Sequence, residues 1–277
     1  MAKWFAKRGF SLNDQHMQDM TSTDLDELAR TAAVGVADRL VVHWQEELGT
    51  ELLGAYLIGS LAHAGFSRRY SDVDIALVTT TGLSSQGLDR IRAAAVRLSA
   101  DWGPKVSFFW TDRHFSLGRF PPLDRIDYLD HAIALTERER VLATRPTLAE
   151  VRDYLRGAPF TGWSERARSF AASDALGPKD HKAFLRTLLY PARFCFSWAT
   201  GLVGSNDEAV AFLRERHPPD LDVGLIEEAL ECRRAAADPD ALFPGRAILP
   251  SQINACALLF GKNTHSPASA RKRSSPT

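Results

Sequence analysis

Two short apolar runs, each joined to a polar motif, constrain the fold of this chain more than any other feature. The first run covers residues 52–58 and the second covers 73–78, and both have the length and composition of buried strands. A glycine and a serine end the first run, and an Asp-x-Asp sequence opens the second. These motifs are Gly59-Ser60 and Asp72-Val73-Asp74. The sequence therefore predicts two strands that present polar groups at one corner.

The chemistry of this corner follows from the residue types. Side chains alternate along a strand, so Asp72 and Asp74 share one face, and two adjacent carboxylates suit Mg²⁺. Gly59 lets the backbone approach a phosphate closely, and Ser60 adds a hydroxyl at what we expect to be the start of a helix. Either motif alone is common at turns and strand borders. Their combination, separated by an eleven-residue polar loop, predicts a site for phosphoryl or nucleotidyl transfer.

The remaining pattern predicts an α/β (α+β) chain. Capping residues at 21–23 predict a helix that ends near Gly49, and an amphipathic helix follows at 84–102. Further strands are expected at 106–111 and 138–143, which gives a small mixed sheet. From residue 147 onward the apolar spacing is helical, and the predicted helices are 147–156, 163–175, 180–200, 206–216, 221–236 and 247–261.

These patterns divide the chain into four segments. We expect a loose N-terminal arm, a nucleotidyltransferase domain, a helical C-terminal domain and a disordered tail that is rich in Ser, Pro, Lys and Arg. Their predicted ranges are 1–20, 21–145, 146–262 and 263–277.

Composition narrows the classes of protein. The chain has 277 residues, 34 basic and 34 acidic, and a formal net charge of zero, so a nucleic-acid polymer is not the expected partner. The three cysteines lack metal-site spacing and are expected to be reduced, and we find neither a secretory signal nor a membrane span. We expect a cytoplasmic protein. The cysteines are Cys195, Cys232 and Cys256.

The strand and motif arrangement resembles the DNA polymerase β-like nucleotidyltransferase superfamily. The matching stretches are Ala55-Tyr56-Leu57-Ile58-Gly59-Ser60 and Ser71-Asp72-Val73-Asp74-Ile75-Ala76-Leu77-Val78. A second likeness is to the helical C-terminal domain of aminoglycoside 3″-(9)-adenylyltransferases, the streptomycin and spectinomycin resistance enzymes. It rests on the segments 193–201 and 206–209, and the segment 126–134 is similar to the linking region of that family.

The resemblance implies a role for each matching position. Gly59 and Ser60 would hold the triphosphate of ATP, and Asp72 and Asp74 would bind Mg²⁺ and serve in catalysis. Arg193 would reach the nucleotide phosphates from the second domain. Asp207 would contact a cationic aminoglycoside. The implied reaction is attack of an acceptor hydroxyl on the α-phosphorus of ATP, with release of pyrophosphate.

This chain departs from the family pattern on the next strand. The family places a third carboxylate there, and the aligned residue is Lys105, with Ser107 next on the same face. A lysine at its ordinary pKa is a cation and cannot act as a base. Asp101 and Asp112 flank the strand as weak substitutes. Asn206 also stands where the family usually has lysine, which removes a positive charge near the expected nucleotide.

Three hypotheses of function therefore stay open. The first is an adenylyltransferase that acts on an aminoglycoside or a related small hydroxylated compound. The second is a catalytically degenerate nucleotide-binding or regulatory protein, suggested by Lys105 and Asn206. The third is a transferase that modifies a protein or RNA, against which the neutral charge and the large second domain count.

Overall fold

The computed structural model describes residues 21–99, 102–218 and 220–261. The predicted arm at 1–20 and the predicted tail at 263–277 lie outside the described residues. The boundary expected at residue 145 stays a prediction.

A four-stranded sheet with helices on both faces forms the first part of the chain. The strands and helices of this part are α1 (Ser22–Leu48), β1 (Leu52–Ile58), β2 (Val73–Thr79), α2 (Ser85–Leu98), β3 (Val106–Asp112), α3 (Pro122–Asp130) and β4 (Ile133–Glu137). Helix α1 begins with a capping box, in which the Thr21 hydroxyl accepts from the Asp24 amide and the Asp24 carboxylate accepts from Thr21. The predicted start of this helix is confirmed.

The strand order across the sheet is β3-β2-β1-β4. Strand β1 runs antiparallel to both of its neighbours, whereas β2 and β3 are parallel. A parallel pair needs a crossover connection, and α2 supplies it. The small mixed sheet confirms the predicted α/β (α+β) class.

Both faces of the central strands are buried. Ile75 and Leu77 of β2 pack against α1 and α2, as the alternation predicts. Ala76 and Val78 on the other face pack against Tyr128 of α3. Asp74 lies on this second face, so the carboxylate side of β2 and helix α3 face each other.

Two local expectations differ from the structure. The fourth strand was expected at 138–143, but β4 spans Ile133–Glu137 and pairs with β1. This edge strand is largely exposed, so it lacks the apolar alternation that marks a buried strand. Gly59–Leu61 forms a single 3₁₀ turn and does not begin the longer helix that we expected.

The second part of the chain is helical. Its α-helices are α4 (Leu148–Arg156), α5 (Ala158–Ala171), α6 (His181–Thr200), α7 (Asn206–Arg216), α8 (Val223–Arg234) and α9 (Leu249–Gly261), with a 3₁₀ segment at Pro239–Ile248 before α9. None of the helices within the described residues combines the length and apolar character that crossing a membrane requires.

Helix α6 is the centre of the helical part. Its buried face carries an aromatic stack in which the Tyr190 ring lies 4.6 Å from Trp163 of α5 and 5.7 Å from Phe194. The helix continues through Pro191 and ends at Gly201, which adopts a left-handed conformation. Tyr70 from the first part joins the same core. The two parts therefore share buried surface.

Candidate active site

A glycine with a left-handed φ forms the corner between β1 and the following loop. Gly59 has φ +66°, and a Cβ at this position would lie 2.6 Å from Asp74 Oδ2. Both the backbone conformation and the close approach therefore require glycine here. The Gly59 amide donates to Asp127 Oδ2 at 2.8 Å, so α3 fixes the orientation of the turn.

Ser60 belongs to a hydroxyl network that holds the loop 61–71. Its Oγ lies 2.9 Å from Ser71 Oγ, which also accepts from the Ser67 amide at 3.0 Å. A buried guanidinium from α8 completes the network, because Arg233 Nη2 donates to the same Ser71 oxygen at 3.0 Å. Burial is the main cause that lowers the pKa of Arg233, to about 10. The corner at Gly59-Ser60 is thus supported from the helical part.

Asp72, just before β2, and Asp74, within it, point to the side of the sheet that turns toward the helical part. Asp74 pairs in register with Ile58 on β1 and with Ser107 on β3. Burial and the neighbouring Asp72 raise the pKa of Asp74 to about 6, although Lys182 and Arg186 oppose the shift. A cation beside this pair therefore stabilises its doubly ionised form.

Helix α6 provides such cations. Lys182, Arg186 and Arg193 are spaced by four and seven residues, which places them along one side of the helix. Lys182 Nζ lies 2.5 Å from Asp72 Oδ1 and directly connects the two parts of the chain. Carboxylates on the sheet and cations on α6 thus form the two walls of a cleft.

Arg193 lies about two turns beyond Arg186 on the same helix. Its side chain retains contact with solvent. Nevertheless, the surrounding protein and the nearby Arg186 lower its pKa, while Asp127, Asp74 and Asp124 act in the opposite direction. The structure therefore brings Arg193 toward the corner formed by Gly59 and the aspartates.

Helix α3 contributes two further carboxylates to the cleft. Asp127 is buried, and its Oδ1 lies 3.7 Å from His63 Nε2. Burial and the nearby Asp127 raise the pKa of Asp124 to about 7, which Arg119 and Arg193 partly offset. Asp124 can therefore exchange a proton near neutral pH.

The described part of β3 places no carboxylate opposite Asp72 and Asp74. Ser107 occupies the position beside Asp74, and Lys105 lies just before the strand. Asp112 lies at the opposite end, paired with Thr79. Burial alone would raise the pKa of Asp112, but hydrogen bonds from Leu117, Ser116 and His114 lower it to about 2.

Asp112 therefore stabilises the turn after β3 and is no substitute for the third carboxylate. Asp101, the other substitute considered from the sequence, lies outside the described residues.

Asp207 lies apart from the carboxylate pair. It sits in the first turn of α7, where it accepts hydrogen bonds from Arg234 Nε at 3.0 Å and Nη2 at 2.5 Å. A Cβ on Gly65 would lie 3.3 Å from its Oδ2, so Asp207 also borders the loop 61–71. Its charge is already paired. Its contact with an acceptor stays a prediction.

Sequence reasoning missed several residues of the cleft. Asp127 lies between buried Ile126 and Tyr128, and a carboxylate with an apolar residue on each side was its available signal. The α6 cations were recognisable by helical spacing from Arg193. No local pattern could identify Arg233, since its role depends on α8 lying against the loop 61–71.

Comparisons with known proteins support the fold. No family model matches the chain, and no curated protein matches it in sequence. Among solved structures, the chain is similar to spectinomycin adenyltransferase AAD(9) from Enterococcus faecialis, determined with ATP and spectinomycin. The TM-score is 0.59 at 12% sequence identity, and the match covers 82% of this chain and 99% of that one. The resemblance to aminoglycoside adenylyltransferases is thereby confirmed at the level of the fold.

Proposed function

We propose that this protein is a Mg²⁺-dependent nucleotidyltransferase that transfers AMP from ATP to a hydroxyl of a small acceptor. The observation that carries the proposal is the cleft itself, where Asp72 and Asp74 beside the Gly59 turn face the cations of α6. Clustered carboxylates can hold a metal and clustered cations can hold phosphates, which is the charge pattern that nucleotidyl transfer needs.

The carboxylate corner fits Mg²⁺. Asp72 and Asp74 offer hard oxygen ligands on one face, and the missing Cβ of Gly59 leaves space beside Asp74 Oδ2. Lys182 already supplies a positive charge to Asp72. Bound Mg²⁺ would neutralise charge on the triphosphate and on the leaving pyrophosphate.

The residues of the chain bind and orient the reactants. Gly59 and Ser60 would hold the triphosphate, with Asp127 fixing the Gly59 amide. Arg193 would bind phosphate oxygens from the opposite wall. An acceptor hydroxyl oxygen attacks the α-phosphorus, and the new P–O bond replaces the bond to the bridging oxygen of pyrophosphate. The hydroxyl proton passes to a cleft carboxylate, for which the elevated pKa of Asp124 is suitable.

An aminoglycoside-type compound is the first acceptor class to test. The structural neighbour was determined with spectinomycin, and the resemblance gives Asp207 as the contact for a cationic acceptor. If such a compound is modified, the protein would act in antibiotic resistance, and Asp207→Asn should weaken acceptor binding.

The direct test is release of pyrophosphate. The purified protein is incubated with ATP and Mg²⁺ against a panel of aminoglycosides and other hydroxylated small molecules. Asp72→Asn and Asp74→Asn serve as inactive controls. Turnover that both variants abolish supports the proposal. If no acceptor supports release above the two controls, transfer to a small molecule is refuted.

A second candidate function is nucleotide binding without transfer. It is favoured by the residues at this end of β3, because Ser107 pairs with Asp74 and Lys105 precedes the strand where the resemblance implies a carboxylate. A positioned general base typically contributes ~10²–10⁴-fold to the rate, so its loss alone slows transfer without preventing binding. Calorimetry separates the two functions, since tight Mg²⁺-ATP binding without turnover supports this candidate and rapid turnover excludes it.

A further inference from the structure

A largely buried histidine follows the Gly59 turn. The His63 amide donates to the Gly59 carbonyl at 3.0 Å, so the two residues belong to one turn of the chain. The His63 side chain is only 12% exposed, and it lines the same surface cavity as Ser60. The turn therefore holds an ionisable ring beside the polar corner.

An oxygen atom flanks each nitrogen of this ring. His63 Nδ1 lies 3.3 Å from the Ala64 carbonyl oxygen, and Nε2 lies 3.7 Å from Asp127 Oδ1. A neutral imidazole carries one N–H, so either tautomer leaves a lone pair directed at one of these oxygens. Only the imidazolium presents a donor to both. The geometry around His63 therefore suits its protonated form.

The carboxylate of Asp127 lacks the donor that this form supplies. Asp127 Oδ2 accepts from the Gly59 amide at 2.8 Å, whereas Oδ1 is buried and has no hydrogen-bond partner among the described residues. A buried oxygen without a donor is unfavourable, and the negative charge of Asp127 would also repel a triphosphate at the corner. A proton on His63 corrects both defects.

The unliganded protein opposes this proton. The ionisable groups that face the ring within the described residues are Asp127 of α3, His131 just after it and Arg193 of α6. Burial lowers the pKa of His63, and His131 and Arg193 lower it further, while Asp127 and the Ala64 carbonyl act in the opposite direction. The His131 ring centroid lies 5.2 Å from that of His63. His63 is therefore uncharged at neutral pH until another charge enters the corner.

We propose that His63 is a positioning residue of the corner, which takes up a proton from solvent as the triphosphate binds and then pairs with Asp127 to hold the Gly59 amide. The inference rests on the proposed nucleotidyltransferase function and adds a residue to its nucleotide site. Phosphate oxygens paired with Arg193 cancel the positive charge that opposes protonation of His63. Nucleotide binding and protonation therefore favour each other.

Proton uptake is measured by calorimetry. Mg²⁺ and α,β-methylene ATP, which resists transfer, are titrated into the protein at about pH 7 in buffers that differ in ionisation enthalpy, and the slope of the heats gives the number of protons exchanged. Cation binding also releases protons from carboxyls such as Asp74, whose pKa burial raises to about 6. The informative quantity is therefore the proton number of the natural protein minus that of His63→Gln. We expect this difference to be a positive fraction of one proton.

The affinity of His63→Gln tests the same charge, because glutamine is polar but does not ionise. At about pH 6 the variant should bind the nucleotide about tenfold more weakly than the natural protein, as expected for loss of one charge-assisted hydrogen bond. The difference should shrink toward pH 9, where His63 loses its proton in the complex as well. His114→Gln, at an exposed histidine after β3, is the matched control and should change neither quantity.

Asp127→Asn tests the partner of the imidazolium. The asparagine oxygen can still accept from the Gly59 amide, but the side chain no longer attracts a positive charge. The proton number should fall to that of His63→Gln, and combining the two substitutions should change it no further.

Equal proton numbers for the natural protein and His63→Gln, with nucleotide bound to both, would overturn the inference. A loss of affinity that is the same at pH 6 and pH 9 would also overturn it, since a purely structural role of the ring does not depend on its charge. If His63→Gln does not fold, the imidazole ¹⁵N shifts of the natural protein decide, and a neutral His63 in the complex contradicts the proposal.

Failure of the proposed function is distinguishable from failure of this inference. If the chain binds the nucleotide but does not transfer it, pyrophosphate release is absent for every acceptor while the proton difference persists. Absence of Mg²⁺-ATP binding by the natural protein would overturn both.

Discussion

At the scale of single residues, the corner depends on a missing side chain and on a carboxylate whose ionisation burial makes costly. Gly59 lacks the Cβ that would meet Asp74, and Asp74 has a pKa raised to about 6 by burial and by Asp72. Such groups are costly for folding, and the proposed binding of Mg²⁺ and a triphosphate would offset this cost.

Gly59→Ala should prevent nucleotide binding. The added Cβ would lie 2.6 Å from Asp74 Oδ2 at a positive φ, so the turn or the carboxylate must move. Gly49→Ala is the matched control, because Gly49 also has a positive φ, +52°, but nothing lies within 4 Å of its added Cβ. Both variants should lose about 1–3 kcal/mol of unfolding free energy. Only Gly59→Ala should abolish Mg²⁺-ATP binding in calorimetry, and equal binding by both variants would contradict this role.

Asp124 should make the stability of the unliganded protein depend on pH. Its carboxyl has a pKa of about 7 in the folded protein and an ordinary value of 3.8, mainly because of burial. Between about pH 4 and pH 7 the folded protein thus retains this proton while the unfolded chain loses it. The contribution of Asp124 to the free energy of unfolding is therefore full below about pH 4 and is lost as the pH rises through 7.

Asp124→Asn removes this loss of stability at high pH, because the asparagine side chain does not ionise. We therefore expect the variant to melt a few degrees above the natural protein at pH 8 and at nearly the same temperature at pH 4. Asp89→Asn, on the exposed side of α2, is the control and should shift neither melt. A stabilisation independent of pH would show that ionisation of Asp124 is not the cause.

At the scale of elements, α6 and α8 determine how the site is assembled. Helix α6 aligns Lys182, Arg186 and Arg193 along the cleft while its opposite side carries the aromatic stack. Helix α8 places Arg233 against the loop 61–71. Both helices therefore contact residues that flank the corner, α6 through Asp72 and α8 through Ser71.

Neighbouring arginines on α8 should differ sharply in importance. Arg233 is buried and donates to Ser71 Oγ and to the Gly65 carbonyl, whereas Arg234 is largely exposed and pairs with Asp207. Arg233→Met should cost about 1–3 kcal/mol of unfolding free energy, because buried acceptors lose a partner. Arg234→Met should cost about 0–1 kcal/mol.

Denaturant titration measures both values. Arg233→Met should also weaken Mg²⁺-ATP binding, since the Ser60–Ser71 hydroxyl network loses its support. Equal effects of the two substitutions would show that burial of Arg233 has no special role.

At the scale of the whole molecule, the loop 61–71 and its contacts join the sheet to the helices. Ser67 Oγ donates to the Arg233 carbonyl at 2.9 Å, Tyr70 donates to the Ala237 carbonyl, and Arg69 pairs with Asp238. Lys182 adds a contact across the cleft. A ligand in this cleft therefore touches both parts of the chain.

Mg²⁺-ATP should stabilise the whole chain as one unit. A ligand at 100 times its dissociation constant adds about 2.7 kcal/mol of unfolding free energy. Scanning calorimetry should show one transition that moves upward with Mg²⁺-ATP and much less with ATP in EDTA. Two transitions, of which only the first responds to ligand, would show that the sheet-bearing and helical parts unfold separately.

The sequence by itself determined the sheet-forming part and the polar corner. The strands β1 and β2 are apolar runs bounded by motifs, and the helices after residue 147 follow a 3.6-residue period, so local patterns suffice to predict them. The edge strand β4 was misplaced, because an exposed strand has no strong alternation. That Lys105 stands where the family has its third carboxylate stays a prediction, because it depends on an alignment that nothing in the structure tests.

Only the tertiary structure decided what faces this corner. Asp127, Lys182 and Arg233 lie about 70 to 170 residues from the groups they contact, and each acts through packing of α3, α6 or α8. Their charges also depend on burial, which no local pattern specifies. The sequence thus located the polar corner of Gly59-Ser60 and the two aspartates. The fold determined the positively charged wall that faces it, because charge complementarity across a cleft is a property of packed surfaces.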